Sequence, residues 1–111
     1  MTDLMLSLTD FEANPERYPL IDVRDEAEFL ERHIPGAINV PLRRLRSEAP
    51  HIPAGSVPVT VCGKGGGRSA EAAVILRTMG VSAVWLEGGT NHWLAANATL
   101  QESQSGRHRE G

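Results

Sequence analysis

The side chains best suited to chemistry lie in one run, Val61-Cys62-Gly63-Lys64-Gly65-Gly66-Gly67-Arg68-Ser69. Cys62 is the only cysteine of the chain. A thiol reacts as its thiolate, and three features of this run favour that form. The segment that follows, Ser69 to Met79, has the pattern of a helix, whose positive end would point back at the sulfur. The glycines let backbone N–H groups converge on a thiolate or a bound anion. Lys64 and Arg68 add local positive charge. A lone cysteine is otherwise a small buried hydrophobe. A chain leaving a strand, however, needs only a few ordinary turn residues, not a glycine-rich run closed by arginine. The run therefore reads as a nucleophilic thiol on an anion cradle. Cys62 is the catalytic candidate, Gly63, Lys64, Gly65, Gly66, Gly67 and Arg68 are the substrate-binding candidates, and Asp22 and Ser69 are the supporting ones.

The elements that must position this loop alternate along the chain. Leu4-Met5-Leu6 reads as a first strand. Thr9 and Glu12 form a capping-box pattern for a helix ending near Asn14, before Pro15. Leu20-Ile21-Asp22-Val23 is apolar enough for a strand buried on both faces. Asp25 and Glu28 cap a second helix, running to about Arg32, with Phe29 and Leu30 expected on the core. Ile34-Pro35-Gly36 turns the chain into a short strand, Ala37 to Val40. Pro41 suits the start of a small helix through Leu42 and Leu45. Its Arg43, Arg44 and Arg46 read as a solvated face rather than an anion site. Val57 to Val61 is the strand that delivers Cys62, and Gly80 is placed to end the helix that follows. Ala83 to Leu86 is the last strand. Gly88-Gly89 turns into a helix with Thr90 as its cap, carrying His92, Trp93 and Leu94. Such alternation implies an α/β fold with five mainly parallel strands and helices on both faces. Ligands of such sheets gather at the C-terminal strand ends, where Asp22 and Cys62 fall.

The chain has 111 residues, 41% hydrophobic and 23% charged, which fits one soluble domain. The domain is expected over residues 1–100, with a polar, frayed tail over residues 101–111. A net charge of −3 gives no reason to expect nucleic acid as a partner. No apolar run approaches the ~20 residues that span a bilayer, so no membrane is expected. The N-terminus does not resemble a signal peptide, and the cytoplasm is the expected location. One cysteine makes no internal disulfide and no multi-cysteine metal site. No metal or organic cofactor is implied. Asn97-Ala98-Thr99 matches a glycosylation acceptor but lacks a secretory context.

Three stretches, in order, resemble the signatures of a single rhodanese domain. Leu20 to Arg24, with Glu28-Phe29 and His33-Ile34-Pro35-Gly36-Ala37-Ile38-Asn39-Val40-Pro41, resembles the first. Cys62 to Ser69 resembles the active-site loop. Leu86-Glu87-Gly88-Gly89, with Trp93, resembles the last. The resemblance runs from Leu4 to about Ala96. It implies thiosulfate sulfurtransferase-type chemistry, in which Cys62 takes a sulfane sulfur and carries it as a persulfide. The donor would be a small anion such as thiosulfate, and the acceptor cyanide, a small thiol or a protein thiol. Lys64 stands where some thiosulfate-using members have lysine and would hold the sulfonate. Arg68 would bind the donor or brace the loop against a carboxylate.

The loop departs from many single-domain members by one residue, with five residues between Cys62 and Arg68. Cys-x5-Arg loops occur in cell-cycle dual-specificity phosphatases that share the fold, and in related arsenate reductases. A phosphatase or arsenate reductase is therefore the alternative. Val61, where those phosphatases usually have histidine, and the missing second cysteine weigh against it. A third reading is a persulfide relay that hands sulfur to a partner protein. Among the other polar residues, Asp22, Arg24 and Glu28 are expected to form one structural set, and His33 to anchor its turn. His92 is expected at the surface or in packing, and Trp85 and Trp93 in the core. Arg32 stands where the family often has glycine.

Overall fold

The computed structural model describes residues 4–98. The tail expected from Gln101 lies outside them. The strands are β1 (Met5–Leu6), β2 (Leu20–Asp22), β3 (Ile38–Asn39), β4 (Val59–Val61) and β5 (Val84–Leu86). They form one sheet of order β1-β5-β4-β2-β3, and every pairing is parallel. The helices are α1 (Leu8–Ala13), α2 (Glu26–Glu31), α3 (Leu45–Glu48), α4 (Gly67–Thr78) and α5 (Gly89–Ala96), with 3-10 turns at Pro15–Arg17 and Leu42–Arg44. The expected α/β alternation is present.

Two apolar layers show why the sheet must be covered on both sides. Ile21, Val23, Leu45, Cys62, Ala72, Ala73 and Leu76 pack together on the α3 and α4 face. Leu8, Phe11, Leu20, Val59, Val61 and Leu86 pack on the other, against α1, with Trp93 of α5 beside them. The two-residue period of a strand explains the division. Val59 and Val61 face α1, so Cys62, one residue on, turns toward α4.

Helix ends follow local chemistry where the partners are close in sequence. The Asp25–Glu28 capping box forms as expected. Gly80 ends α4 in a Schellman arrangement, with Gly80 N donating to Arg77 O (3.1 Å) and Val81 N to Leu76 O (3.0 Å). Four expectations need correction. Helix α1 is capped by Ser7, whose Oγ accepts from Asp10 N at 3.0 Å, and not by Thr9 with Glu12. Burial of Leu8 and Phe11 sets the helix phase, and that phase puts Thr9 inside the helix. Leu30 does not face the core, being 78% exposed. Helix α2 buries none of its residues, and its Phe29 stacks on His33 with ring centroids 3.9 Å apart. Helix α4 begins at Gly67 rather than Ser69, so Arg68 is in its first turn. Helix α5 is capped by Gly88, and Thr90 is fully buried in its first turn.

Candidate active site

Strand β4 lies between β5 and β2 near the middle of the sheet, with Val61 in register with Asp22 of β2. Cys62 follows at its C-terminal end and is 5% exposed. Its Sγ lies 3.2 Å from Gly66 O and 3.2 Å from Ser69 Oγ. Ser69 Oγ donates to Gly66 O at 2.9 Å. Thr60 Oγ1 donates to Ser69 O at 2.7 Å and ties the strand to the first turn of α4. The sulfur therefore sits at the N-terminal end of a 12-residue helix, as the spacing of Cys62 and Ser69 predicts. Gly66 caps that helix at φ 71°, a conformation that favours glycine.

The loop rests on the start of α5. Thr90 N donates to Cys62 O at 2.8 Å and Asn91 N to Gly63 O at 2.9 Å. This contact explains the glycine pair at the start of α5. A side chain at Gly89 would collide with Cys62 O, and Gly65 packs so closely on Gly88 that a Cβ would lie 2.6 Å from Gly88 N. What reads in the sequence as a turn is also the seat of the Cys62 loop.

Arg68 is turned toward Glu28 of α2. Its Nη1 and Nη2 donate to Glu28 Oε1 and Oε2 at 2.8 and 3.2 Å. Glu28 Oε1 also accepts from Asp25 N at 3.1 Å, so one carboxylate joins the α2 cap to the loop. The Arg68 hydrogen bonds dominate the titration of Glu28; they outweigh partial desolvation and, helped by Asp25 N, bring its carboxyl down to about 2. Glu28 in turn pushes the Arg68 guanidinium above its ordinary value. Of the two roles expected for Arg68, bracing is the one the geometry displays.

Asp22 is brought near the loop but faces Arg24. Arg24 Nη2 donates to Oδ2 at 2.8 Å, and Arg24 Nε and N each donate to Oδ1 at 3.0 Å. Arg24 Nη2 also reaches Arg32 O at 2.7 Å. Asp22 and Arg24 are both buried, and Asn39 Nδ2 holds their carbonyls. The single set expected from Asp22, Arg24 and Glu28 is thus two pairs, Asp22–Arg24 and Glu28–Arg68.

Lys64 is exposed on the loop, with no ion-pair partner among the described residues. Arg43 is exposed and Arg44 half-buried, and the two pair with Asp25, Glu26 and Glu48. His33 Nδ1 donates to Phe29 O at 2.8 Å, so this ring holds its turn. His92 is exposed beside Glu87 O, while Trp85 and Trp93 pack against the two cores. Sequence reasoning missed Gly89, Thr90 and Asn91 as supports of the loop and Glu28 as the partner of Arg68. The glycine pair was the one available signal for the former. The latter had none, because Glu28 and Arg68 lie 40 residues apart.

A rhodanese-like domain model matches residues 7–96. The chain is 37% identical over 93 residues to the uncharacterized protein YqhL of Bacillus subtilis, covering 81% of this chain and 73% of that protein. Among solved structures, the human single-domain sulfurtransferase TSTD1 superposes with a TM-score of 0.71 at 25% identity, over 85% of this chain and 97% of that one. A Rhodopseudomonas palustris protein of unknown function, described as a possible tyrosine phosphatase, superposes with a TM-score of 0.71 at 25% identity, over 86% of this chain and 82% of that one. The expected layout of strands and loop, the all-parallel sheet and the matched span agree: this chain belongs to the rhodanese-like domain family.

Proposed function

We propose that this protein is a sulfurtransferase that moves sulfane sulfur through a persulfide on Cys62. The observation that carries this reading is the seat of the sulfur. Sγ lies at a central strand end and at the head of α4, within 3.2 Å of the Ser69 hydroxyl. When the thiol loses its proton to solvent, that hydroxyl can turn from Gly66 O and donate to the thiolate. The thiolate then attacks the outer sulfur of a small anionic donor such as thiosulfate. The new S–S bond forms as the donor S–S bond breaks, and sulfite leaves with the electron pair. Lys64, exposed on the loop and without an ion-pair partner among the described residues, is a cation that can hold the sulfonate. In the second half-reaction a thiolate or cyanide attacks the outer sulfur of the persulfide, and the Cys62 thiolate leaves. No external oxidant or reductant enters either step. A small thiol and a protein thiol are chemically equivalent acceptors here, so a relay to a partner protein uses the same site. A reducing cytoplasm suits both.

Phosphate or arsenate chemistry is the second reading, favoured by the Cys-x5-Arg spacing and by the description of the Rhodopseudomonas neighbour. It requires Arg68 to clamp the oxyanion. The bidentate pair with Glu28 holds that guanidinium instead, which favours sulfur transfer. Incubation with thiosulfate followed by intact mass tests the two. Gain of one sulfur atom, absent in Cys62→Ser, is the expected result. No gain, together with hydrolysis of an aryl phosphate, would replace the first reading by the second.

A further inference from the structure

Arg32 stands out because nothing described above uses its side chain. It is exposed, and its guanidinium has no hydrogen bond or ion pair among the described residues. It lines two adjoining hollows together with Asn91. The wider, about 690 Å³, is bounded by Arg32, His33, Asn91, Leu94, Ala95 and Ala98. The narrower, about 230 Å³, adds Arg24, Glu28 and Glu31.

Both walls of this groove are tied to the residues that flank Cys62. On one side Asn91 N donates to Gly63 O at 2.9 Å. A Cβ on Gly63 would lie 4.0 Å from Asn91 Nδ2. On the other side the Arg32 carbonyl accepts from Arg24, whose partner Asp22 is in register with Val61. The groove therefore opens beside the catalytic loop.

Its charges have a direction. In the narrow hollow, Glu28 is neutralised by Arg68 and Arg24 by Asp22, leaving Glu31 as the acid without an ion pair among the described residues. Among the described residues, no acidic side chain lines the wide hollow. There Arg32 offers a bidentate cationic fork and Asn91 an amide, against an apolar wall of Leu94, Ala95 and Ala98. A fork of this shape matches a carboxylate.

We infer that Arg32 is a specificity-determining residue that selects carboxylate-bearing thiols as sulfur acceptors, the carboxylate lying in the wide hollow while the thiol meets the Cys62 persulfide. This inference rests on the sulfur-transfer reading and names the acceptor class for it. It assigns Arg32 no part in loading.

The test uses the whole chain, loaded with thiosulfate and freed of excess donor. Discharge of the persulfide is timed with 3-mercaptopropionate and with 2-mercaptoethanol at subsaturating concentration. The ratio of the two rates, compared between proteins, cancels the intrinsic reactivity of each thiol. Arg32→Gln should lower the ratio about fivefold, the upper end for an exposed ion pair. Arg32→Lys should restore part of it, and added salt should lower it in the wild type but not in Arg32→Gln. Loading by thiosulfate should be the same in all three proteins. If the wild type gains no sulfur, the sulfur-transfer reading fails and this inference falls with it. If loading proceeds and the ratio does not change in Arg32→Gln, only the acceptor assignment is wrong. Slower loading in both Arg32 variants would also overturn it, because Arg32 would then act on the donor or on the loop itself.

Discussion

The Cys62 loop is held by two sides of different character. On the α5 side the hold is backbone against backbone. Thr90 N and Asn91 N donate to Cys62 O and Gly63 O, and Gly89 approaches so closely that no side chain fits. On the α2 side the hold is one ion pair, Arg68 to Glu28, with side chains 41% and 43% exposed. The first contact is made by backbone groups, with Gly89 packed against Cys62 O, and involves no titrating or charged group. The second is reached by water and ions. Under the proposed sulfur transfer, a loop that keeps its sulfur in place while admitting a donor and then an acceptor would benefit from one fixed side and one adjustable side.

The largest effect should come from breaking the fixed side. Gly89→Ala places a Cβ against Cys62 O in a backbone at φ 60°, combining overpacking with strain. The expected loss is about 2–5 kcal/mol in urea unfolding, with persulfide loading largely lost. Wild-type loading by this variant would show that the α5 contact does not position the sulfur.

Breaking the adjustable side should do less to stability and more to control. Glu28→Gln is expected to cost under about 1 kcal/mol, since exposed pairs contribute little. Added salt should lower the stability of the wild type slightly and leave that of Glu28→Gln nearly unchanged, as read by urea unfolding. A stability loss as large as that of Gly89→Ala would erase the contrast.

Acid should separate the two sides without mutation. The carboxyl of Glu28 is lowered from 4.5 to about 2, so its contribution is present above the upper value and is lost as pH falls through the lower. Hydrogen exchange followed from pH 5 to pH 2 should therefore show α2 opening before the N-terminal turn of α5. Simultaneous opening would mean that the ion pair does not hold α2 separately.

The smallest effect concerns Thr90. Its Oγ1 is buried without a hydrogen-bond partner, while its backbone N does the bracing. Thr90→Val keeps the shape and removes an unpaired polar atom. It should leave loading unchanged and stability within about 1 kcal/mol of the wild type, or slightly above it. A marked loss of loading would give the hydroxyl a role at the sulfur.

These contrasts show what kind of information was readable beforehand. The Asp25–Glu28 capping box was legible because both partners lie within one helical turn, and the Gly80 stop for the same reason. Leu30 does not follow its apolar character because a residue in a six-residue helix need not find a core; α2 is held by polar contacts of Glu28 in its first turn and of the Arg32 carbonyl at its end. Glu28 was seen as a cap and missed as the brace of Arg68. The carboxylate does both, and only the second role depends on a residue far along the chain.

The alternation of apolar strands and capped helices, the parallel α/β class and the placement of Cys62 at a strand end before a helix were all determined by the sequence itself. They follow from local periodicity and local hydrogen bonding, which residue order specifies directly. The fold decided which carboxylate takes which arginine, why two glycines open α5, and that Arg32 and Asn91 face one groove. Those outcomes depend on which elements the sheet order brings side by side, and no spacing along a single chain encodes that.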